Sequence, residues 1–471
     1  MKKVLALVLA LTMLLCMVSF AAAEDVVTLR WVAVGSGMPT NYDAWLEKVN
    51  PYLNEKIGVN IGMEVVSWGD WGNRRGVIVN TNEPYDIIFG DMNTYNTDVR
   101  LGAYLDITDL VPTAAPTLKA MLPESYWDAC RIDGRVYAVP TYKDSSQSQY
   151  FVWDQALLDE LGLDATGVHD LKDATPLLTA IKEHTGEASF PLATSSTASY
   201  ILFQYDQMNT GLPAIGVRYD DQSAKVVPIY EQADIMESLN TLHEWYNAGI
   251  INSDASTRPE GPSYRPCFIA QGWSGAAKTT WGPGMGVEAV AYQYKDTIVS
   301  NETVRGSLNS VSVNSAHPEK ALAFLELINT DSWVRDSFYY GLEGDNWQYT
   351  DSGRVHKNNS EWTMAGYTQG TFFMVTPTDD VEFNQWDEVK ALNESAKPSV
   401  LLGFTFDTSK VQDQIAACTA IHRRYSGEVL TGVADPAVAV PQMMQEMRDA
   451  GFEEIAAEAQ AQVDAFMAAK K

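Results

Sequence analysis

The sequence predicts an α/β protein with at least two domains, and three observations support this prediction. The chain has 471 residues, more than the ~250–300 residues at which a single hydrophobic core stops growing. Hydrophobic residues make up 46% of it, an ordinary share for a globular protein. Strand and helix patterns alternate along the N-terminal part, which is typical of a doubly wound sheet.

This alternation occupies the first ninety residues. We predict a strand over 26–34 (VVTLRWVAV), a helix over 42–56, a strand over 59–68, a helix to about residue 80 and a strand over 85–90 (YDIIFG). The last is a continuous apolar run, as in strands that are buried on both faces of a parallel sheet. Ligands of such sheets bind beyond the carboxyl ends of the strands. That rule indicates the loops 35–41, 68–73 and 91–97.

A second α/β region is expected from about residue 142. The segment IDGRVYAVP (132–140) that precedes it combines a turn with an alternating strand ending in proline, which predicts a hairpin leading into a crossover. Helical patterns follow over 153–161, 176–184, 199–208, 231–248, 318–340 and 435–471. The sequence shows neither repeats nor a low-complexity linker, so we expect the domains to be interwoven.

The charge balance excludes some partners. The chain carries 61 acidic and 33 basic residues, with a formal net charge of −28. Nucleic acid and anionic lipid surfaces would repel such a chain, and no basic stripe is present to bind phosphates. Beyond that, the acidity indicates only good solubility.

The N-terminus has the pattern of a secretory signal. Lys2 and Lys3 precede an apolar stretch over 4–18 and small residues over 19–23, which predicts cleavage before Glu24. A membrane anchor fits less well, because a span needs ~20 apolar residues. We therefore expect a secreted protein, at the extracellular face of the cytoplasmic membrane or in a periplasm. Lipid attachment at Cys16 stays open, because bulky residues precede that cysteine.

Three cysteines follow the predicted cleavage point: Cys130, Cys267 and Cys418. They form no CxxC pair, and an odd number cannot close a disulfide framework. Whether a single bridge forms among them stays open.

Five segments carry more specific patterns. They are 85–111 (YDIIFGDMNTYNTDVRLGAYLDITDLV), 132–140, 153–173 (WDQALLDELGLDATGVHDLKD), 317–349 (HPEKALAFLELINTDSWVRDSFYYGLEGDNWQY) and 401–425 (LLGFTFDTSKVQDQIAACTAIHRRY). In order and spacing they resemble the maltose-binding-protein-like, family 1 extracellular solute-binding proteins of ABC importers. The last two resemble a subgroup of large Gram-positive carbohydrate-binding lipoproteins. That subgroup usually has a clean lipobox, which this sequence lacks.

The resemblance implies a type II periplasmic-binding-protein-like fold, with two lobes, hinge strands between them and an extended helical C-terminus. After the signal peptide (1–23), it places residues 24–140 and about 300–340 in one lobe. About 141–299 and 341–471 form the other. It further implies a monomer without enzymatic activity, cofactor or metal, which captures an oligosaccharide by lobe closure and delivers it to ABC permease subunits.

An oligosaccharide site needs aromatic rings for the apolar faces of the sugars and polar side chains for the hydroxyls. The strand-end loops and the resemblance together supply the candidates. These are Trp68, Trp71, Asp91, Asn93, Tyr95, Tyr142, Tyr200, Phe203, Gln204, Trp273, Trp281, Trp347, Phe404 and Asp407.

Trp273 and Trp281 are the main candidates, because they lie in the glycine-rich segment GWSGAAKTTWGPG (272–284), where the relatives also carry a sugar-stacking tryptophan. Three groups of the others have a structural alternative. For the tryptophans at 68 and 71, the alternative is that one of them packs under the following helix. For the polar residues at 91 and 93 it is that they cap a helix, and for the aromatic residues over 200–204 it is that they belong to the core.

Two alternatives to sugar capture remain. One is a binding protein for a peptide or another small solute, although 13 Trp and 22 Tyr favour sugars. The other is a secreted glycoside hydrolase, which needs two carboxylates ~5–9.5 Å apart. Enzyme motifs are absent from the sequence: His243-Glu244 begins an HExxH pattern, but position 247 is Asn.

Overall fold

A computed structural model describes residues 26–470 of the chain. The predicted signal peptide and Cys16 lie outside the described residues. Within 26–470, no helix combines the length and the hydropathy of a membrane span.

A five-stranded sheet is the centre of the first lobe. Its strands lie in the order Val59–Ser67, Val27–Gly35, Ile87–Gly90, Leu308–Val311 and Val139–Pro140. The first three are parallel, as the alternating pattern predicts. Leu308–Val311 runs antiparallel to both of its neighbours, so the sheet is mixed. The sequence did not indicate this strand, which returns to the first lobe after the chain has passed through the second.

Helices cover this sheet. They are Tyr42–Ile57, Trp68–Thr81, Tyr95–Arg100, Val111–Ala114, Pro116–Met121, Glu124–Ala129, Asn301–Arg305, Pro318–Thr330 and Ser332–Tyr340. The prediction of one continuous helix over 318–340 is wrong, because two helices form there and Asp331 separates them. Asp331 is extended, and its carboxylate accepts a hydrogen bond from the Val334 amide. Such an N-cap starts a new helix.

The predicted hairpin is confirmed. Arg131–Ile132 pairs antiparallel with Arg135–Val136. Both turn residues, Asp133 (φ 51°) and Gly134 (φ 78°), have positive φ, as expected for the two-residue turn that matches strand twist.

Two three-stranded antiparallel sheets form the second lobe. One has the order Cys267–Gln271, Gln149–Asp154, Ala289–Gln293, and the other Val226–Pro228, Ile215–Arg218, Tyr205–Asp206. The helix predicted over 199–208 is wrong, since a 3₁₀-helix (Ser199–Gln204) leads directly into a strand. The remaining helices are Gln155–Leu161, Leu171–Thr185, Ala233–Asn247, Gly282–Met285, Gln412–Val429, Pro436–Asp449 and Phe452–Ala469.

Each lobe has its own hydrophobic core. The first core is built around Trp31, Trp45 and Trp127, and the second around Trp153 and Trp245. The three C-terminal helices pack into the second core. A third, smaller cluster draws on residues 340–389 and includes the helix Gln385–Ser395. The lobe boundaries stay a prediction.

Three chain segments lie side by side between the two cores, near residues 147, 298 and 397, and are together called the hinge here. Ile298–Val299 pairs with Lys397–Pro398, and Gln147 forms a bridge to Ile298. A hydrogen bond of 2.8 Å joins the Ser148 and Thr297 hydroxyls.

A group of buried charges lies beside this hinge. The Arg305 guanidinium, 3% exposed, donates to the carbonyls of Ala129 and Arg131. The Glu302 carboxylate accepts the Asn209 amide at 3.2 Å. Burial, and then the nearby charge of Asp206, raise the pKa of Glu302 to about 7.

A carboxyl group with a raised pKa binds its proton more tightly in the folded protein than in the unfolded chain. Its stabilising contribution is therefore complete below pH 4.5, the ordinary pKa of Glu, and is lost as the pH rises through about 7. We expect Glu302→Gln to be more stable than the wild type at pH 8, by on the order of 2 kcal/mol, and equally stable at pH 4.5. Urea titrations at both pH values test this, and a difference that does not change with pH would contradict it.

Candidate functional site

The most exposed aromatic pair at the edge of the five-stranded sheet is Trp68 and Tyr367, here called the aromatic pair. Their rings lie nearly parallel, at an interplanar angle of 14° and a centroid distance of 6.4 Å. Their exposed fractions are 47% and 43%. Two large rings that remain this exposed offer a flat apolar surface to a ligand.

Trp68 is held where a strand ends and a helix begins. The preceding Ser67 is the N-cap, and its hydroxyl accepts the Asp70 amide at 3.2 Å. The indole packs edge-on against Phe89 of the strand Ile87–Gly90, with centroids 6.0 Å apart. This position is the carboxyl end of the parallel strands, where the fold class predicts the ligand.

Tyr367 reaches the same edge from a distant part of the chain. Residues 363–368 run along the end of the first strand, where Ser36 N donates to Thr363 O at 2.8 Å and Ala365 N donates to Val34 O at 3.1 Å. A Cβ atom at Gly35 would lie 2.3 Å from Thr363 O. Only glycine permits this approach.

Buried hydrogen bonds hold residues 363–372, here called the Tyr367 segment, in place. The guanidinium of Arg335, 0% exposed, donates to Gly366 O and Thr371 O, both at 2.7 Å. Burial lowers the pKa of Arg335 to about 10, so it remains charged at neutral pH. Thr368 O accepts three further hydrogen bonds, from the side chains of Thr141, Ser307 and Asn309.

The charge of Asp144 acts on one member of the aromatic pair, Tyr367. Asp144 lies in the first hinge segment and forms an ion pair with Lys143 at 2.6 Å. Burial, and then the negative charge of Asp144, raise the pKa of Tyr367. A charged acceptor beside aromatic rings suits the hydroxyls of a sugar.

Trp281 lies on the second-lobe side of the hinge. It packs against Tyr150 and Phe268, with centroid distances of 6.3 and 6.4 Å. A Cβ atom at Gly272 would lie 2.8 Å from the indole, and the Gly272 amide donates to Ser148 O in the hinge. The half-buried Trp281 is thus fixed beside the hinge.

Trp273 has a different environment. Its half-buried ring packs against Trp386 of the third cluster, with centroids 6.1 Å apart. This contact joins the glycine-rich segment of the second lobe to the helix Gln385–Ser395.

The structure places six of the other sequence candidates in the interior. These are Trp71, Tyr95, Tyr142, Phe203, Trp347 and Phe404, all at most 6% exposed. Tyr95 donates its hydroxyl to Cys130 O, and Trp347 donates its indole N–H to Gly341 O. Of the two tryptophans at 68 and 71, Trp71 is the one that packs under the helix, where it contacts Phe89.

The polar candidates are not gathered beside the aromatic pair. Asp91 caps the following turn through the Asn93 amide at 2.9 Å. Asp407 pairs with Arg100 at 3.2 Å. Gln204 lines a small cavity within the second lobe, and the half-buried Tyr200 packs against Tyr294, which also lines it.

Sequence reasoning did not identify Tyr367 or Asp144. Tyr367 follows no strand, and its position depends on contacts with residues more than 200 positions away. Asp144 lies four residues after the segment 132–140, and no sequence pattern singled it out.

The chain is similar to known proteins over most of its length. The N-glycan transport solute binding protein NgtS from Streptococcus pneumoniae is 27% identical, with a TM-score of 0.84 over 94% of this chain and all of that one. The same protein matches in complex with Man1GlcNAc (TM-score 0.71, 27% identity, 93% and 99% coverage) and with Man5GlcNAc (TM-score 0.68, 27% identity, 94% and 99% coverage). Residues 400–468 match the family described as a domain of unknown function, DUF3502.

The fold and the hinged site thus define a two-lobed solute-binding protein. A carbohydrate ABC transporter substrate-binding protein of Streptococcus pneumoniae serotype 4 is 30% identical over 465 residues, 96% of this chain and 93% of that protein. The chain belongs to the carbohydrate ABC transporter substrate-binding proteins.

The Tyr367 segment should depend on Arg335. We expect Arg335→Ala to lower the free energy of unfolding by at least ~2 kcal/mol, because two buried carbonyls lose their donor at about 1–3 kcal/mol each. Urea denaturation measures this, and the exposed Arg424→Ala is the matched control, with an expected change within ~0.5 kcal/mol. Equal midpoints for the two variants would contradict the role of Arg335.

Proposed function

We propose that this protein captures an oligosaccharide between its lobes and presents it to the permease of an ABC importer. The observation that carries the proposal is the exposed aromatic pair, Trp68 and Tyr367, at the carboxyl end of the parallel strands, with the charge of Asp144 acting on it. In this arrangement the pair stacks on a sugar ring and the carboxylate accepts hydrogen bonds from its hydroxyls.

Lobe closure is the mechanism that the hinge supports. A ligand that touches both lobes only in the closed form stabilises that form through its additional contacts. Trp281 supplies the second-lobe surface. The drop in TM-score from 0.84 to 0.71 and 0.68 between the NgtS structures without and with a named glycan supports a shape change of this kind.

The first ligands to test are oligosaccharides of mannose and N-acetylglucosamine. NgtS, which matches over most of the chain, has been described in complex with Man1GlcNAc and Man5GlcNAc. We infer the ligand class, and leave its length and linkage to experiment.

The remaining parts of the proposal follow from family membership. The protein acts outside the cytoplasmic membrane as a monomer, and its partners are permease subunits rather than nucleic acid. We propose that it binds its ligand without turning it over. The glycoside hydrolase and the peptide-binding protein are the competing functions.

Trp68→Ala and Tyr367→Ala should each weaken oligosaccharide binding. We expect a loss of ~1–2 kcal/mol, roughly 5- to 30-fold in the dissociation constant, because each removes a ring from the stacking surface. Both side chains are exposed, so the midpoint of thermal unfolding should stay within ~2 °C of the wild type. Titration calorimetry with Man5GlcNAc measures the affinity, and unchanged binding in both variants would refute the placement of the site.

Trp281→Ala should also weaken binding, by a similar factor and without unfolding the protein, if the second lobe contributes its surface at this point. Trp273→Ala is the informative comparison, because that ring packs against Trp386. Wild-type affinity in both variants would show that the second-lobe surface lies elsewhere.

The competing functions are separated by two assays. Long incubation with the oligosaccharide, followed by chromatography, should return it intact, and any catalytic turnover would overturn the binding function. A thermal-shift panel of oligosaccharides and peptides should show stabilisation by sugars alone, of ~2.7 kcal/mol at 100 times the dissociation constant.

A further inference from the structure

The glycine-rich segment of the second lobe, residues 272–281, carries Trp273 and Trp281 and is called the tryptophan segment here. One carboxylate from another part of the chain binds it. Glu388 accepts the Ser274 amide at 2.7 Å and the Gly275 amide at 3.0 Å, one on each carboxylate oxygen. Hydrogen bonds to an ionised acceptor are among the stronger ones in proteins.

Aromatic packing reinforces this contact. The Trp273 ring lies on Trp386, and a Cβ atom at Gly275 would lie 3.1 Å from the Phe383 ring. Glycine therefore allows the tryptophan segment to approach the start of the helix Gln385–Ser395. Burial, and then the negative charge of Glu388, raise the pKa of Tyr150, on which Trp281 packs.

The same helix is linked to the first-lobe side of the site. Trp386 packs on Phe372 with a centroid distance of 4.3 Å, and Phe372 lies five residues after Tyr367. Asn393 accepts the Ser146 hydroxyl at 2.8 Å and donates to Lys143 O, so the helix is also fixed to the hinge. One helix thus contacts the Tyr367 segment, the hinge and the tryptophan segment.

We infer that Glu388 is a positioning residue for ligand capture: it holds the tryptophan segment against the helix Gln385–Ser395 and so orders the segment that carries Trp281 before a ligand arrives. This inference rests on the proposed function. A preordered surface binds more tightly because less conformational freedom is lost on binding. Glu388 acts through the backbone of Ser274 and Gly275 and does not itself touch the sugar.

The first test needs no ligand. We expect backbone amides of residues 272–276 to exchange with deuterium at least ~10-fold faster in Glu388→Ala than in the wild type, because two of them lose their acceptor. Glu388→Gln keeps one carbonyl acceptor and should fall between the two. The matched control is Glu183→Gln, an exposed glutamate of the helix Leu171–Thr185. Unchanged exchange in Glu388→Ala would overturn the inference.

The second test measures coupling to binding. Glu388→Ala should weaken Man5GlcNAc binding about 10-fold, and the double variant with Trp281→Ala should bind no more weakly than Trp281→Ala alone. A residue that acts through Trp281 gives such non-additivity, whereas a general loss of stability adds to it. Additive losses, or wild-type affinity in Glu388→Ala, would overturn the inference. If the wild type binds no oligosaccharide or peptide, the proposed function fails, while the exchange experiment still judges the Glu388 contact.

Discussion

The buried guanidinium of Arg335 is the interaction on which the candidate site depends most. It binds the carbonyls of Gly366 and Thr371, and thereby fixes both ends of the segment that carries Tyr367. Two of its three nitrogens donate to these carbonyls, and because the groups are buried each of these hydrogen bonds is costly to lose. The aromatic pair exists because this segment lies along the end of the first strand, where Trp68 also emerges.

Buried hydrogen bonds also link the Tyr367 segment to the hinge. Thr368 O accepts hydrogen bonds from the side chains of Thr141, Ser307 and Asn309. Thr141 directly follows the strand Val139–Pro140, and the other two lie at the start of the strand Leu308–Val311. Asn393 accepts a hydrogen bond from the hinge, and Glu388 accepts two from the tryptophan segment. Residues that are far apart in the chain therefore form one polar scaffold around the site.

Much of the first lobe could be predicted from the sequence. The buried run Ile87–Gly90, the alternating strand Val59–Ser67 and the turn at Asp133 and Gly134 all have patterns that depend on near neighbours only. The second lobe was harder, because its strands are short and antiparallel, and the strand Tyr205–Asp206 directly follows a 3₁₀ turn. A two-residue strand carries no detectable period.

The sequence by itself determined the early strands, because residue periodicity and turn chemistry are local, and the order of its motifs carried the resemblance that implied the class of protein. It also indicated which residue types a sugar site needs. Only the tertiary structure decided which of these residues face solvent. Trp68 and Trp71 are three positions apart on one helix, yet one is 47% exposed and the other 5%. Exposure depends on what packs against a side chain, and for Tyr367, Asp144 and Glu388 those partners come from distant parts of the chain.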